Sequence, residues 1–370
     1  MFILDILYYT FIIVACFQVC YYLFFFSPFA FQKENNPTAK NIPISVIICA
    51  KNEAENLKKF LPSVISQNYL NFEIVLINDA SYDDTLDVME AFAEKHSNIK
   101  IVDVKNNEAF WANKKYALTL GIKSAKNNHL LFTDADCKPI SDDWILQMSS
   151  HFTSGKSIVL GYGGYTKIKN SFLNKLIRFE TLFTAIQYLS FARMGLPYMG
   201  VGRNLAYTKD AFFAASGFMK HMHIRSGDDD LFINEIATSS NTSICVTKDS
   251  FTMSNPKTSF KSWVTQKKRH ITTAEHYKTS HKTILALFYI SQLVFWLTGI
   301  TLLSFLFHWE VVLVFISLRF ICQFVIISFI SKKLDERDLM PFLPFLEFFL
   351  IVFQLTIFIS NLISKPKHWK

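Results

Sequence analysis

The chain has 370 residues, of which 51% are hydrophobic and 38 are Phe, and a formal net charge of +8. So much apolar and aromatic residue exceeds what one soluble domain needs, so a globular domain joined to a membrane part is expected. The positive charge does not call for nucleic acid, because its distribution follows membrane topology.

In chain order, Ile3 to Phe26 comes first, apolar apart from Asp5. It is long enough to cross a bilayer, which takes roughly 20 residues. It lacks a basic leader and a small-residue cleavage site, so a retained anchor is expected. From residue 44 the pattern alternates. Strands are predicted at Ile44–Cys49, Glu73–Asn78, Ile99–Val104, His129–Thr133 and Ser157–Tyr162. Helices are predicted at Glu53–Ser66, Asp83–His96, Asn113–Lys126 and Ser141–Phe152. Short strands alternating with helices imply βαβ units and a mostly parallel α/β sheet. Ligands of such sheets gather at the carboxyl ends of the strands. Lys51-Asn52-Glu53, Asp79 and Asp134/Asp136 all fall on that edge.

No Gly-x-Gly-x-x-Gly follows the first strand, which speaks against a dinucleotide-dependent dehydrogenase. Between Tyr165 and Gly202, the apolar residues Phe172, Leu173, Leu176, Ile177, Phe179 and Leu182 alternate with Lys169, Lys175 and Arg178. This fits a core helix or an amphipathic helix on the membrane face. Further spans are predicted at Thr283–Phe307 and Trp309–Ile330, with a weaker one at Pro341–Ser364. Lys and Arg concentrate in 33–282 and in Lys332 to Arg337, which places both in the cytoplasm. The basic tail Lys365 to Lys370 breaks that scheme if the last segment spans fully, so a re-entrant or interfacial segment is favoured there. The expected domains are an anchor (1–30), a cytoplasmic domain (31–282) and a membrane domain of two or three helices (283–370).

Asp134-Ala135-Asp136 closes the predicted strand His129–Thr133. Residues two apart on a strand share a side, so both carboxylates are expected to face one cleft. Hard oxygen ligands in that place suit Mg²⁺ or Mn²⁺ carrying a phosphate group. The six Cys show no metal spacing and are expected to be reduced and structural. His221, His223, His276 and His281 show no zinc spacing either. Arg319 lies in the middle of a predicted span, where an unpaired charge is costly, and Glu347 is its expected partner.

The ordered set Ala50-Lys51-Asn52-Glu53, Asn78-Asp79-Ala80-Ser81, Asn113-Lys114 and Thr133-Asp134-Ala135-Asp136 resembles glycosyltransferase family 2, whose fold is GT-A. Ser226-Gly227-Asp228-Asp229-Asp230 resembles the family's acidic element. Gln266-Lys267-Lys268-Arg269-His270 resembles the Gln-x-x-Arg-Trp motif of its membrane-bound synthases and ceramide glucosyltransferases. The resemblance implies that Asp136 and Asp134 hold the metal and that Asp79 contacts the nucleoside. It also implies that Ala50, Asn52 and Glu53 line the base pocket and that Lys114 approaches the base or phosphates.

A carboxylate of the acidic cluster would take the acceptor's proton. One alignment makes Asp229 the base and another makes it Asp228; Asp229 is preferred. Gln266 and Arg269, three apart on a helix, share a face and could clamp the pyrophosphate and acceptor. Gly202 and Arg203 match the small-residue loop near the acceptor. His270 stands where the family has Trp, so acceptor identity and processivity stay open. The resemblance thus implies an inner-membrane, metal-dependent, inverting transferase moving one sugar from a nucleotide-diphosphate donor, expected to be UDP-linked, to a lipid-linked or glycan acceptor. Three or four spans are few for a polymer channel. A processive synthase of the same family, a non-catalytic membrane scaffold and a transporter around Arg319 and Glu347 are the alternatives.

Overall fold

The computed structural model describes residues 2–33, 41–105, 113–224 and 226–363, without the side chains of Asn113 and His270; the basic tail lies outside the described residues. The chain divides into two compact units. One comprises Met1–Lys33, Phe179–Ser190 and Val264–Lys370, the other Glu34–Arg178 and Phe191–Trp263.

The second unit is built on two sheets. Its strands are β1 (Ile44–Ala50), β2 (Phe72–Asp79), β3 (Ile99–Val104), β4 (His129–Phe132), β5 (Cys137–Pro139), β6 (Ile158–Leu160), β7 (Gly163–Tyr165), β8 (Leu205–Thr208), β9 (Thr242–Ile244) and β10 (Thr252–Ser254). The large sheet has the order β3-β2-β1-β4-β8-β6-β9, and the small one β5-β10-β7. β1 pairs in parallel with β2 and β4, and β2 with β3, as the alternation predicts. The reason is visible in β1 and β2: their Val, Ile and Leu side chains are buried on both faces, the condition under which parallel strands form. Helices Ala54–Ile65 and Trp144–Ser150 supply Leu57, Leu61, Trp144 and Met148 to the core on one face.

β8 is the departure. It inserts antiparallel between β4 and β6, where the sequence pattern predicts no strand. With four residues, it is too short for its period to be read. The helix Phe172–Arg193 is buried over most of its surface, with Asn174, Arg178 and Ser190 nearly inaccessible. It is therefore a core helix and not an amphipathic one lying on a surface. Its central stretch, Phe179–Ser190, belongs to the first unit.

Among the described residues, the first unit contains four segments long and apolar enough to cross a membrane: Phe2–Ala30, Thr279–Ser304, Trp309–Lys333 and Arg337–Ile363. Phe11, Ala15, Phe295, Leu302 and Val312 form a core between the first three. Gly299 leaves room for this packing: a Cβ there would stand 3.1 Å from the Phe11 ring. Phe2, Leu297, Val314, Ile321 and Leu362 are exposed on the outside, as lipid-facing positions require. Arg319 is fully buried at the centre. Its Nε donates to Gln18 Oε1 at 2.8 Å, and one terminal nitrogen donates to Gln323 Oε1 at 2.7 Å and Glu347 Oε2 at 2.8 Å. The other terminal nitrogen pairs with Glu347 Oε1. The expected partner is thus found, and the charge is fully satisfied. All six cysteines are free.

Candidate active site

The carboxyl ends of β1 and β2 are tied together by their own loop residues. Asn52 sits in the left-handed region, with φ 57°. Its N–H donates to Ser81 Oγ at 3.0 Å, and its Oδ1 accepts from the Tyr82 N–H at 3.0 Å. The Glu53 N–H donates to Thr85 Oγ1 at 2.8 Å. Asn56 donates to the Glu53 carboxylate, which caps no helix. Ala50 is buried at the end of β1, paired with Asn78. Asp79 is buried at the end of β2. Burial raises its carboxyl above the usual range, against the pull of Lys51 and Lys114.

Asp134 and Asp136 do converge, though not by strand alternation. β4 ends at Phe132, and the next residues form a turn closed by the Cys137 N–H on the Asp134 C=O at 3.0 Å. The turn brings ligand atoms of Asp134, Asp136 and Cys137 within 4.8 Å of one another. Asp136 is held from the far side by Ser254 Oγ, which donates to Oδ2 at 3.3 Å. Burial and the neighbouring Asp134 push the Asp136 carboxyl up, opposed by Arg203. Two crowded carboxylates of this kind fit a hard divalent cation, which would relieve their repulsion. The Cys137 thiol is driven well above its ordinary range by burial and by both aspartates, so it stays neutral and is no match for such an ion.

Lys114 joins these acids to the third cluster. Its Nζ lies 2.9 Å from Asp228 Oδ2 and 3.5 Å from Asp134 Oδ1. Burial works against the charge on Asp228, yet the Lys114 ammonium draws that carboxyl below its usual range. Asp229 caps the helix Asp230–Ile236 and accepts from the Asp230 N–H and the Gly202 N–H, both at 2.7 Å. Burial, with Asp228 and Asp230 beside it, raises the Asp229 carboxyl to about 7, against Lys114 and the Gly202 N–H. Lys114, Asp134, Gly202, Asp228 and Asp229 line a single cleft, with Cys49 and Tyr207 in its wall. A Cβ at Gly202 would stand 3.3 Å from Asp229 Oδ2, so that carboxylate would have to give by tenths of an ångström.

The remaining expected residues are placed otherwise. Arg203 turns inward: it donates to the Gly164 C=O at 3.1 Å and lies over the Tyr165 ring at 4.4 Å. Its own C=O accepts from Thr133 and Thr252. Gln266 and Arg269 belong to the first unit, as does the backbone of His270, whose side chain is outside the described residues. Two residues had no sequence signal. Ser254 reaches Asp136 only through the pairing of β10 with β5. Lys115 is buried, donating to the His221 and Ile224 C=O groups at 2.8 and 3.0 Å. It thereby ties the loop that leads to Asp228 onto the helix carrying Lys114. Burial lowers its ammonium to about 8, against the pull of Asp228, Asp230 and Asp229.

Residues 45–214 match the family described as glycosyl transferase family 2. Among similar curated proteins, a cholesterol galactosyltransferase from Borreliella burgdorferi is 36% identical over 93 residues, covering 25% of each chain. A poly-beta-1,6-N-acetyl-D-glucosamine synthase from Staphylococcus epidermidis is 33% identical over 138 residues, covering 37% of this chain and 32% of its own. A UDP-Glc:alpha-D-GlcNAc-diphosphoundecaprenol beta-1,3-glucosyltransferase from Escherichia coli is 30% identical over 125 residues, covering 33% of this chain and 45% of its own. The matched stretch therefore spans less than half the length of each. The solved structure of a mannosyltransferase from Pyrobaculum calidifontis, in complex with GDP-Man and Mn²⁺, aligns with a TM-score of 0.57 at 15% identity, over 90% of this chain and 98% of its own.

Proposed function

We propose that this chain, whose residues 45–214 match glycosyl transferase family 2 and whose fold aligns with a solved mannosyltransferase, moves a sugar from a nucleoside-diphosphate donor to a lipid-linked or glycan acceptor at a membrane. The observation that carries the reading is the Lys114 bridge between Asp134 and Asp228. It joins the donor-side and acceptor-side acids in one cleft. The names of two relatives support such acceptors, one being a sterol and the other a diphosphoundecaprenol-linked sugar. The four apolar segments and the charge of the 33–282 region favour a cytoplasmic catalytic domain on a bacterial inner membrane.

In this reading Asp79, with Ala50, Asn52 and Glu53, receives the nucleoside at the ends of β1 and β2. Asp134 and Asp136 would hold Mg²⁺ or Mn²⁺, which when bound offsets the diphosphate charge. Gly202 and Arg203 are proposed to border the acceptor. Arg203 does so through its backbone, since its side chain is committed to Gly164 and Tyr165. Asp229 accepts the proton of the acceptor hydroxyl as that oxygen bonds to the anomeric carbon. The bond from that carbon to the diphosphate oxygen breaks, and the nucleoside diphosphate leaves with the electron pair. One displacement without a covalent enzyme intermediate inverts the anomeric centre. Lys114 keeps Asp228 ionised, and the resulting negative charge makes Asp229 the stronger base.

The test is a thermal-shift screen of nucleotide sugars against the full chain with Mn²⁺, repeated in EDTA. A true donor raises the melting temperature by mass action, and EDTA should abolish the rise. If no nucleotide sugar shifts the transition, the reading fails.

A further inference from the structure

Helix Asn113–Ser124 carries two consecutive lysines with different tasks. Lys114 faces the cleft and pairs with Asp134 and Asp228. Lys115 is buried, and its Nζ donates to the His221 and Ile224 C=O groups at 2.8 and 3.0 Å. Both carbonyls belong to one turn, because the Ile224 N–H donates to the His221 C=O at 3.0 Å. A single ammonium thus closes the carboxyl end of the short 3₁₀ helix Met219–His221, where free carbonyls favour a lysine. On its other side the same segment is fastened to helix Asp230–Ile236, which Asp229 caps. Lys220 Nζ pairs with Glu235 Oε1 at 2.6 Å, and the Phe218 ring meets the Phe232 ring edge-on at 5.4 Å. Lys115 therefore links the helix of Lys114 to the segment that delivers Asp228 and Asp229, through a contact between positions 106 residues apart.

We propose that Lys115 is a positioning residue for the acceptor-side acids: it holds the turn 221–224 on the helix of Lys114 and so fixes where Asp228 and Asp229 stand in the cleft. This rests on the glycosyltransferase reading and adds to it a residue outside the cleft lining. Among the described residues, no carboxylate forms an ion pair with Lys115. A buried ammonium held by neutral carbonyls costs desolvation that an apolar side chain of like size would not. What Lys115 supplies is direction: a compact head whose N–H groups reach two carbonyls at once. Ile224 stands four positions before Asp228, and Gly227, with φ 89°, turns the chain into the acids. Slack in the turn therefore reaches Asp228 and Asp229 within a few residues, and a base displaced by about 1 Å loses on the order of 10²-fold in rate.

The experiment uses the full chain in nanodiscs with Mn²⁺ and compares wild type, Lys115→Met and Lys115→Arg. The readouts are hydrogen–deuterium exchange, affinity for UDP and GDP, and release of nucleoside diphosphate from UDP-glucose or GDP-mannose with water as acceptor. In Lys115→Met the backbone of 218–230 should exchange about tenfold faster, while 129–136 exchanges as in wild type. At saturating donor, release should slow by on the order of 10²-fold, with donor KM and diphosphate affinity within about twofold of wild type. Lys115→Arg, which can still donate to both carbonyls, should return most of the loss. Unchanged exchange in 218–230, unchanged release per folded molecule, or a Lys115→Arg variant no better than Lys115→Met overturns the proposal. So does a parallel loss of diphosphate affinity and release, which marks a general fault in folding. A wild-type chain that binds neither UDP nor GDP sinks the glycosyltransferase reading instead, whereas the exchange of 218–230 still decides whether Lys115 holds the turn.

Discussion

Arg319 and Lys114 are each the hub of a charge cluster, and the two clusters are built differently. Arg319 sits among apolar helices, and its guanidinium is matched by Glu347, Gln18 and Gln323. A third glutamine, Gln292, donates to Glu347 Oε1 at 3.4 Å. Lys114 sits among more acid than it can neutralise: Asp134 and Asp228 directly, with Asp229, Asp230 and Asp136 close behind. In the first arrangement the two charges answer each other. The second leaves carboxylates crowded together, and a cation or a proton relieves them. Completeness of pairing, more than burial, separates structural charge from chemical charge here. A transporter built around Arg319 and Glu347 finds no support in so closed a pair.

The sharpest way to break this comparison is to remove one member of each cluster. Asp136→Ala should cut sugar transfer by on the order of 10³-fold while the melting temperature stays near wild type; unaltered turnover would remove Asp136 from the site. Arg319→Ala should do the converse. It strands Glu347 among apolar helices and costs roughly 3–5 kcal/mol of stability, read as a lower denaturation midpoint, while transfer per folded molecule persists. The double change Arg319→Met with Glu347→Leu should recover much of that loss, because an apolar pair of similar volume needs no partner. No recovery would give the pair a further role.

A pH profile sharpens the comparison within the second cluster. With its carboxyl raised to about 7, Asp229 is protonated and idle below that pH. If it is the base, log(kcat/KM) should fall by about one unit per pH unit below pH 7 and level off above. If Asp228 is the base, its carboxyl, held low by Lys114, gives a flat profile across the same range. The smallest effect is expected from Gly202→Ala. The added Cβ, 3.3 Å from Asp229 Oδ2, shifts the carboxylate by tenths of an ångström and should lower kcat roughly three- to tenfold, in keeping with the steep dependence of rate on placement. An unchanged kcat would show that Asp229 has slack.

The parallel half of the fold was legible, because β1, β2 and β3 are long enough for their apolar runs to be read between helical periods. The small sheet was not. β5, β7 and β10 have three residues each, and Gly163-Gly164 carries no strand preference. The pairing of Arg319 with Glu347 was legible because a charge in an apolar span must find a partner. The acids of the site were legible as motifs in order, yet the reason for their meeting was not. Asp134 and Asp136 converge through a turn instead of a pleat, and Lys114 bridges clusters 94 residues apart, the distance from position 134 to position 228. Ser254 was invisible because only β10 pairing brings it to Asp136. Arg203 misled because a basic residue beside glycines suits a phosphate as well as it suits the Gly164 carbonyl and the Tyr165 ring that it meets.

The most direct measurement is the transfer rate of Asp229→Asn against wild type, at pH 8 with Mn²⁺ and the donor found by thermal shift, alongside donor affinity. The expected result is a fall of about 10²- to 10⁴-fold in turnover with donor affinity and melting temperature little changed. Wild-type turnover in both Asp229→Asn and Asp228→Asn would contradict the assignment of this cleft as the place where the acceptor loses its proton.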